Sequence, residues 1–184
     1  VVAGRRPLRF RFAPRKALAA IGWMLEKAAP APLDLHTILK TCYFADRAHL
    51  NAYGRPIFGA RYRAMRYGPV PVEIYEMLKG EPIWLVEAGT ERVPWELRGY
   101  RVVRSGNVEP DLRVLSPSDR EALDRAFELA RSMTFDERTA ASHGPDWQRA
   151  ELGWMRYEDM IDEDNPRRAE ILEDLEEIDW RMVL

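Results

Sequence analysis

Proline and glycine punctuate this chain and mark where its helices and turns begin and end, because a helix interior tolerates neither well. Pro14 suits the first turn of a helix. Leu18, Ile21, Leu25 and Ala28 then repeat at helical spacing, so a first helix is expected from about Arg15 to Ala29, with Pro30 and Pro32 ending it. Asp34 is placed to cap a second helix. Its Leu35, Ile38, Leu39, Cys42, His49 and Leu50 keep a three-four spacing, and Gly54 followed by Pro56 stops it. Tyr62–Tyr67, rich in aromatic and basic residues, reads as a strand, and Gly68-Pro69 as a turn. Pro71 opens a short helix with Val70, Ile74, Met77 and Leu78 as its apolar positions, closed by Gly80.

Residues 81–98 hold Pro82, Gly89 and Pro94 without a sustained period, which predicts a functional loop or short elements the pattern does not reveal. Tyr100–Arg104 and Val108–Val114 flank Ser105-Gly106-Asn107 and read as a hairpin. Ser116 with Pro117 and Asp119 forms a capping box, and Leu123, Phe127 and Ala130 face inward behind it. Thr134 and Glu137 form a second box. Asp146 is read as the cap of a helix carrying Trp147. Asn165-Pro166 starts the last helix, with Ile171, Leu172, Leu175 and Ile178 on one face. The expected fold class is α+β and mostly helical: a single domain with a small antiparallel sheet between an N-terminal and a C-terminal helical set. It divides into a loose basic arm (1–13), the domain proper (14–156) and an acidic helical extension (157–184).

Charge is unevenly spread. Residues 1–80 carry 14 Lys and Arg against 5 Asp and Glu, and the remainder carries 14 against 25. The formal net charge of −2 gives no general case for nucleic acid. Arg9-Phe10-Arg11-Phe12 in the arm alternates charge and aromatic, as a segment following phosphates would. A regulatory or phage-associated protein binding nucleic acid through that arm is therefore the alternative reading, although no helix-turn-helix accompanies it. The acidic tail is expected either to pack on the basic half or to face a basic partner.

Apolar residues make up 46% of the chain, enough for a real core. The single cysteine, Cys42, excludes an intrachain disulfide and reads as core packing. No apolar run reaches the roughly 18 residues of a membrane helix. Arg5, Arg6 and the uncharged stretch Ala17–Leu25 outline a secretory signal, but Glu26 and Lys27 interrupt it and the helical spacing fits a core helix, so a cytoplasmic protein is expected.

Asp46 and His49 share a helix face, but no second carboxylate–His element exists to complete a di-metal site, so His49 reads as half-buried at a helix edge. Asp162-Glu163-Asp164-Asn165 lacks the glycine of a calcium loop, Arg167 standing in its place. Ser142-His143 is no nucleophile pair by adjacency, and no nucleophile elbow or phosphate-cradling glycine loop is present. No enzyme activity, cofactor or metal is expected.

Four blocks carry a resemblance. They are Leu39-Lys40-Thr41-Cys42-Tyr43-Phe44-Ala45-Asp46, Tyr53-Gly54-Arg55-Pro56-Ile57, Tyr62-Arg63-Ala64-Met65-Arg66-Tyr67-Gly68-Pro69-Val70 with Ile74-Tyr75, and Leu115 to Asp119 with Ser142-His143 and Trp147. In order and spacing they resemble the Panacea domain family of SocA-like antitoxins. Met65 departs from a frequent Trp, and Thr41-Cys42 from frequent Leu or Ile. The resemblance implies a protein that neutralises a cognate toxin, the product of a neighbouring gene, by direct contact, or that delivers it as an adaptor to the ClpXP protease. It implies partner contact through Tyr43, Asp46, Arg61, Tyr62, Arg63, Arg66, Tyr67, Gly68, Pro69, Tyr75, His143 and Trp147. Read physically, Gly68 and Pro69 are equally well turn residues. The tyrosines are either core rings with hydrogen-bonded tips or, where exposed, a binding cluster beside Arg61, Arg63 and Arg66. Association with a further copy of the chain is left open.

Overall fold

Helix α2 (Leu35–Tyr53) is the axis on which the rest is hung. A computed structural model describes residues 7–178 and Leu184; Arg5, Arg6 and Asp179 lie outside the described residues. Asp34 caps α2 as expected, accepting from Thr37 N at 2.8 Å. Gly54 closes it at φ 73°, a left-handed conformation that costs a side-chain-bearing residue energy. Twelve of the helix's nineteen residues are buried, so it is enclosed on more than one face.

The neighbours follow in chain order: α1 (Pro14–Ala28) and β1 (Leu33–Asp34) before α2, then β2 (Tyr62–Met65), β3 (Gly68–Pro71), α3 (Val72–Leu78), α4 (Pro82–Ala88), β4 (Trp95–Arg98) and β5 (Arg101–Arg104). A 3-10 turn at Leu112–Val114 leads to α5 (Pro117–Ser132), α6 (Phe135–Ser142), α7 (Pro145–Arg149), α8 (Tyr157–Met160) and α9 (Arg168–Ile178). The fold is mostly helical α+β with antiparallel sheet between two helical sets. α5 makes the most extensive contact with α2. Its Ser116–Asp119 capping box forms as read, and so does Thr134–Glu137 at α6. Cys42 is buried in the core.

Several boundaries differ from expectation. β5 pairs not with Val108–Val114 but with β4 before it and with β1, because Gly99 (φ 62°) makes the tighter turn. Residues 81–98, unreadable by period, supply α4 and β4, a two-turn helix and an edge strand. Gly68-Pro69 lies inside β3, and the turn falls at Arg66-Tyr67. α7 is capped at Gly144, which leaves Asp146 within the helix and buried. The last helix begins at Arg168 rather than at Pro166; Ile171 and Leu175 are buried, while Ile178 is exposed. Residues 7–13 are tied down rather than loose. Ala13 N donates to Phe58 O at 2.8 Å, Leu8 N to Glu158 Oε1 at 3.0 Å, and Phe10 packs edge-on against Tyr157. The alternation in the arm turns aromatics inward and leaves Arg9 and Arg11 exposed.

Part of the acidic C-terminal region packs on the basic half, the first of the two alternatives expected of it. Asp162 pairs with Arg47 of α2 at 2.6 Å, and Ile171 and Leu175 join the common core. Glu173, Asp174 and Glu177 face solvent.

Buried charges fasten this frame. Asp46 accepts from Ile57 N (2.7 Å), Phe58 N (3.0 Å) and the Tyr62 hydroxyl (2.7 Å), holding the chain that returns from α2. Burial raises its pKa to about 6 against the pull of those donors. Asp119 accepts from Lys16 Nζ at 2.9 Å, Arg55 at 3.1 Å and Ser116 N at 3.0 Å, joining α1, α5 and the post-α2 loop. Burial pushes its carboxyl up, but those donors outweigh it and hold the pKa below the ordinary value. His49 is fully buried rather than half-buried, because α5 covers it. Its Nδ1 donates to Arg55 O at 2.7 Å and its Nε2 accepts from Ser118 Oγ at 3.0 Å. Replacing Asp46 with Ala orphans three buried donors. The substitution is expected to lower the unfolding free energy by about 3 kcal/mol or more, measured by urea denaturation; a loss under about 1 kcal/mol contradicts this role.

Candidate functional site

β2 alternates inward Tyr62 and Ala64 with outward Arg63 and Met65. It pairs with β3 on one side, Arg63 opposite Val70 and Met65 opposite Gly68. On the other side it meets residues 153–155 through an antiparallel bridge, Arg63 opposite Trp154, with Ala64 N donating to Gly153 O and Met155 N to Tyr62 O, both at 2.9 Å. Directly opposed residues share a sheet face, so Trp154 stands beside Arg63. The Arg61 and Arg63 guanidinium groups lie 4.8 and 5.3 Å from the Trp154 ring centroid. At the hairpin tip Arg66 stacks over Tyr67 at 5.3 Å, and Tyr67 meets Phe135 edge-on at 5.2 Å. Trp154 and Tyr67 are each 48% exposed, Met65 47% and Phe135 42%, so together with the arginines they form an accessible aromatic–arginine face.

Polar contacts underneath hold this hairpin in place. Lys40 Nζ, buried on α2, donates to Pro69 O at 2.8 Å. Burial and the nearby Arg138 charge lower its pKa to about 7. His36 Nε2 donates to Tyr67 O at 3.1 Å, and its Nδ1 accepts from Arg138 Nε at 3.1 Å. Burial, then Lys40, lowers the His36 pKa to about 4, so the neutral ring bridges hairpin and α6. Arg138 also donates to Ala130 O, Met133 O and Asp34. Trp147 Nε1 donates to Met65 O at 2.9 Å, and His143 stacks on its ring at 3.7 Å. Gly68, at φ 103°, lets the strand lie directly on Lys40 and Ser142: a Cβ there would fall 2.7 Å from Lys40 Cε and press on Ser142 Oγ.

Of the residues singled out by sequence, Arg61, Arg63, Arg66 and Tyr67 are together on the exposed face. His143 and Trp147 are half-buried and brace the hairpin from α6 and α7. Tyr75 is apart on α3, half-buried, with the Lys79 ammonium 4.7 Å above its ring. Tyr43, Asp46, Tyr62, Gly68 and Pro69 are buried. Tyr43 donates to Asp146 Oδ2 at 2.5 Å and Tyr62 to Asp46; burial pushes both phenol pKa values up. Sequence reasoning passed over Trp154, Phe135, Lys40, His36 and Arg138. The alternation of Arg61, Arg63 and Met65 was a visible signal for the face, but nothing local announces that Trp154 pairs with Arg63. Among the described residues no three His, Cys, Asp or Glu side chains are grouped to hold a metal ion, and no helix is long and apolar enough to cross a membrane.

The model of the SocA-like antitoxin family, Panacea domain, matches residues 38–148. The chain belongs to this family. No curated protein and no solved structure matches it. The span matched to the Panacea domain runs from α2 into α7 and contains the whole β2–β3 hairpin with Lys40, Arg138, His143 and Trp147. Trp154, which completes the face, lies just beyond it.

Two outcomes test the seating of the hairpin. Gly68→Ala is expected to destabilise the fold by more than about 2 kcal/mol in urea denaturation, through overpacking and backbone strain. Lys40 keeps its proton to an ordinary 10.5 when unfolded but only to about 7 when folded. Between those values the unfolded chain holds the extra proton, so the Lys40 contribution makes stability rise with pH across that window. Lys40→Met should flatten this rise, read from urea midpoints near pH 7 and near pH 10.

Proposed function

We propose that this chain is an antitoxin that neutralises a cognate toxin, the product of a neighbouring gene, by direct contact on the face of Arg61, Arg63, Met65, Arg66, Tyr67 and Trp154. The observation behind the reading is that the β2–β3 hairpin within the family match, with Trp154 beside it, presents exposed Trp, Tyr and Arg side chains on a backbone held by buried contacts. Those residue types dominate the energetics of protein interfaces, and a preorganised backbone reduces the ordering cost of binding. In this reading the protein acts by contact rather than by catalysis, in the cytoplasm where both partners are made. Residues 14–156 form the working domain and the acidic extension braces it. Delivery of the toxin to ClpXP would add a second, weaker contact to the same scheme.

Co-expression with the neighbouring reading frame tests the reading. Growth rescue and co-purification are expected. A neighbouring protein that is harmless alone, or that the chain does not capture, overturns it. Toxin abundance separates the two modes: sequestration leaves it unchanged, and delivery to a protease lowers it. Trp154→Ala is expected to weaken toxin capture by about tenfold or more, as loss of an interface anchor does. The urea midpoint should stay close to that of the parent chain, because half of the ring is already in solvent.

A further inference from the structure

The proposed docking face leaves some of its charge unmatched in a specific way. Arg61 is satisfied, donating through Nε to Glu73 at 2.7 Å. Arg63 and Arg66 are exposed, and among the described residues neither has a carboxylate partner. Each instead sets its guanidinium over an aromatic ring, the central carbon 5.3 Å from the ring centroid of Trp154 and of Tyr67 respectively. A cation–ring contact does not use up the N–H donors of a guanidinium, and its N–H fork matches a carboxylate bidentately. Nearby exposed arginines are built otherwise: Arg156 pairs with Glu158, and Arg149 with Asp159 and Glu163. Met65, between the two arginines in sequence, and the Trp154 ring across from Arg63 offer apolar area. The bridge geometry adds a backbone element. Its hydrogen bonds run through Gly153 and Met155, so the N–H and C=O of Trp154 itself point away from β2, along an edge on which an extended chain can lie.

We infer that this face takes an acidic segment of the toxin, with carboxylates seated on Arg63 and Arg66 and an apolar side chain between them against Met65 and Trp154. The inference rests on the antitoxin reading above and names the chemistry of the partner. A nucleic acid fits less well. Arg61, Arg149 and Arg156 already spend their charge on Glu73, Asp159, Glu163 and Glu158, and two free forks fall short of the several phosphate contacts such binding uses.

The test uses the full chain and the neighbouring gene product as probe, with an unstructured single-stranded oligonucleotide as a second probe. The variants are Arg63→Glu/Arg66→Glu, Arg63→Lys/Arg66→Lys and Trp154→Ala. Charge reversal is expected to reduce toxin capture at least a hundredfold with an unchanged urea midpoint. The lysine pair should retain part of the affinity, with stronger salt dependence because the bidentate fork is gone. Reversing acidic residues of the toxin to Lys should restore capture by the Glu pair. If charge reversal leaves capture intact while Trp154→Ala abolishes it, the docking face stands and the acidic partner is overturned. If the oligonucleotide binds at physiological salt and only that binding is lost on reversal, a nucleic acid replaces the acidic segment. If the parent chain captures no toxin, the antitoxin reading falls and takes this inference with it.

Discussion

Lys40, Asp46 and His49 stand on one helix with almost no solvent exposure, and charged or polar groups in such a place must be matched by hydrogen bonds or neutralised. The architecture around α2 follows from meeting that demand. Asp46 is matched by the amides of Ile57 and Phe58 and by the Tyr62 hydroxyl, which fixes how the chain returns from the helix and where β2 begins. Lys40 is matched by the Pro69 carbonyl, which fixes where β3 lies. His49 is matched by Arg55 and Ser118, which brings the N-terminus of α5 onto α2 beside the buried Asp119. An apolar α2 would bury its surface as well, but its neighbours would have less reason to take one register.

The exposed aromatic–arginine face inherits its rigidity from that arrangement. A two-stranded hairpin alone is marginal in water. Here Lys40 and His36 grip β3 and the tip from beneath, Trp147 holds the end of β2, and residues 153–155 bridge to its other side. The alternation of β2 then does the sorting: Tyr62 and Ala64 go to the core, and Arg63 and Met65 go to solvent. Exposed aromatic rings carry a solubility cost, and the stacked arginines offset part of it by covering the Trp154 and Tyr67 faces with charge. The result is a surface that combines exposed apolar area with solvated charge.

Helices with strong local signals were legible in the sequence. Asp34, the Ser116 box and the Thr134 box all cap where the residue pattern places them, because a cap is a contact within one turn. Strand pairing was read less well. β5 has two candidate partners in sequence, and the choice of β4 over the later segment depends on Gly99 and on β1 arriving from the other side. The candidate site was legible by halves. Arg63, Arg66 and Tyr67 stand in one motif block, with Arg61 just before it, and come out on one face. Tyr62 of the same block, and Tyr43 and Asp46 of the first, are buried, since neither residue type nor motif membership says which side of a helix or strand meets solvent.

What the sequence determined alone is local and periodic: helix starts and stops, the α+β class, the want of a disulfide, and the ordered blocks that place the chain in the Panacea family. Those properties depend on residues a few positions apart, where backbone preference and spacing act directly. Tertiary structure decided what depends on distant partners. It drew Trp154 beside Arg63, set Phe135 against Tyr67, tied the basic arm to Tyr157 and buried His49 under α5. No local rule carries that information, because it exists only once α2 has buried its charges and the segments that satisfy them have converged.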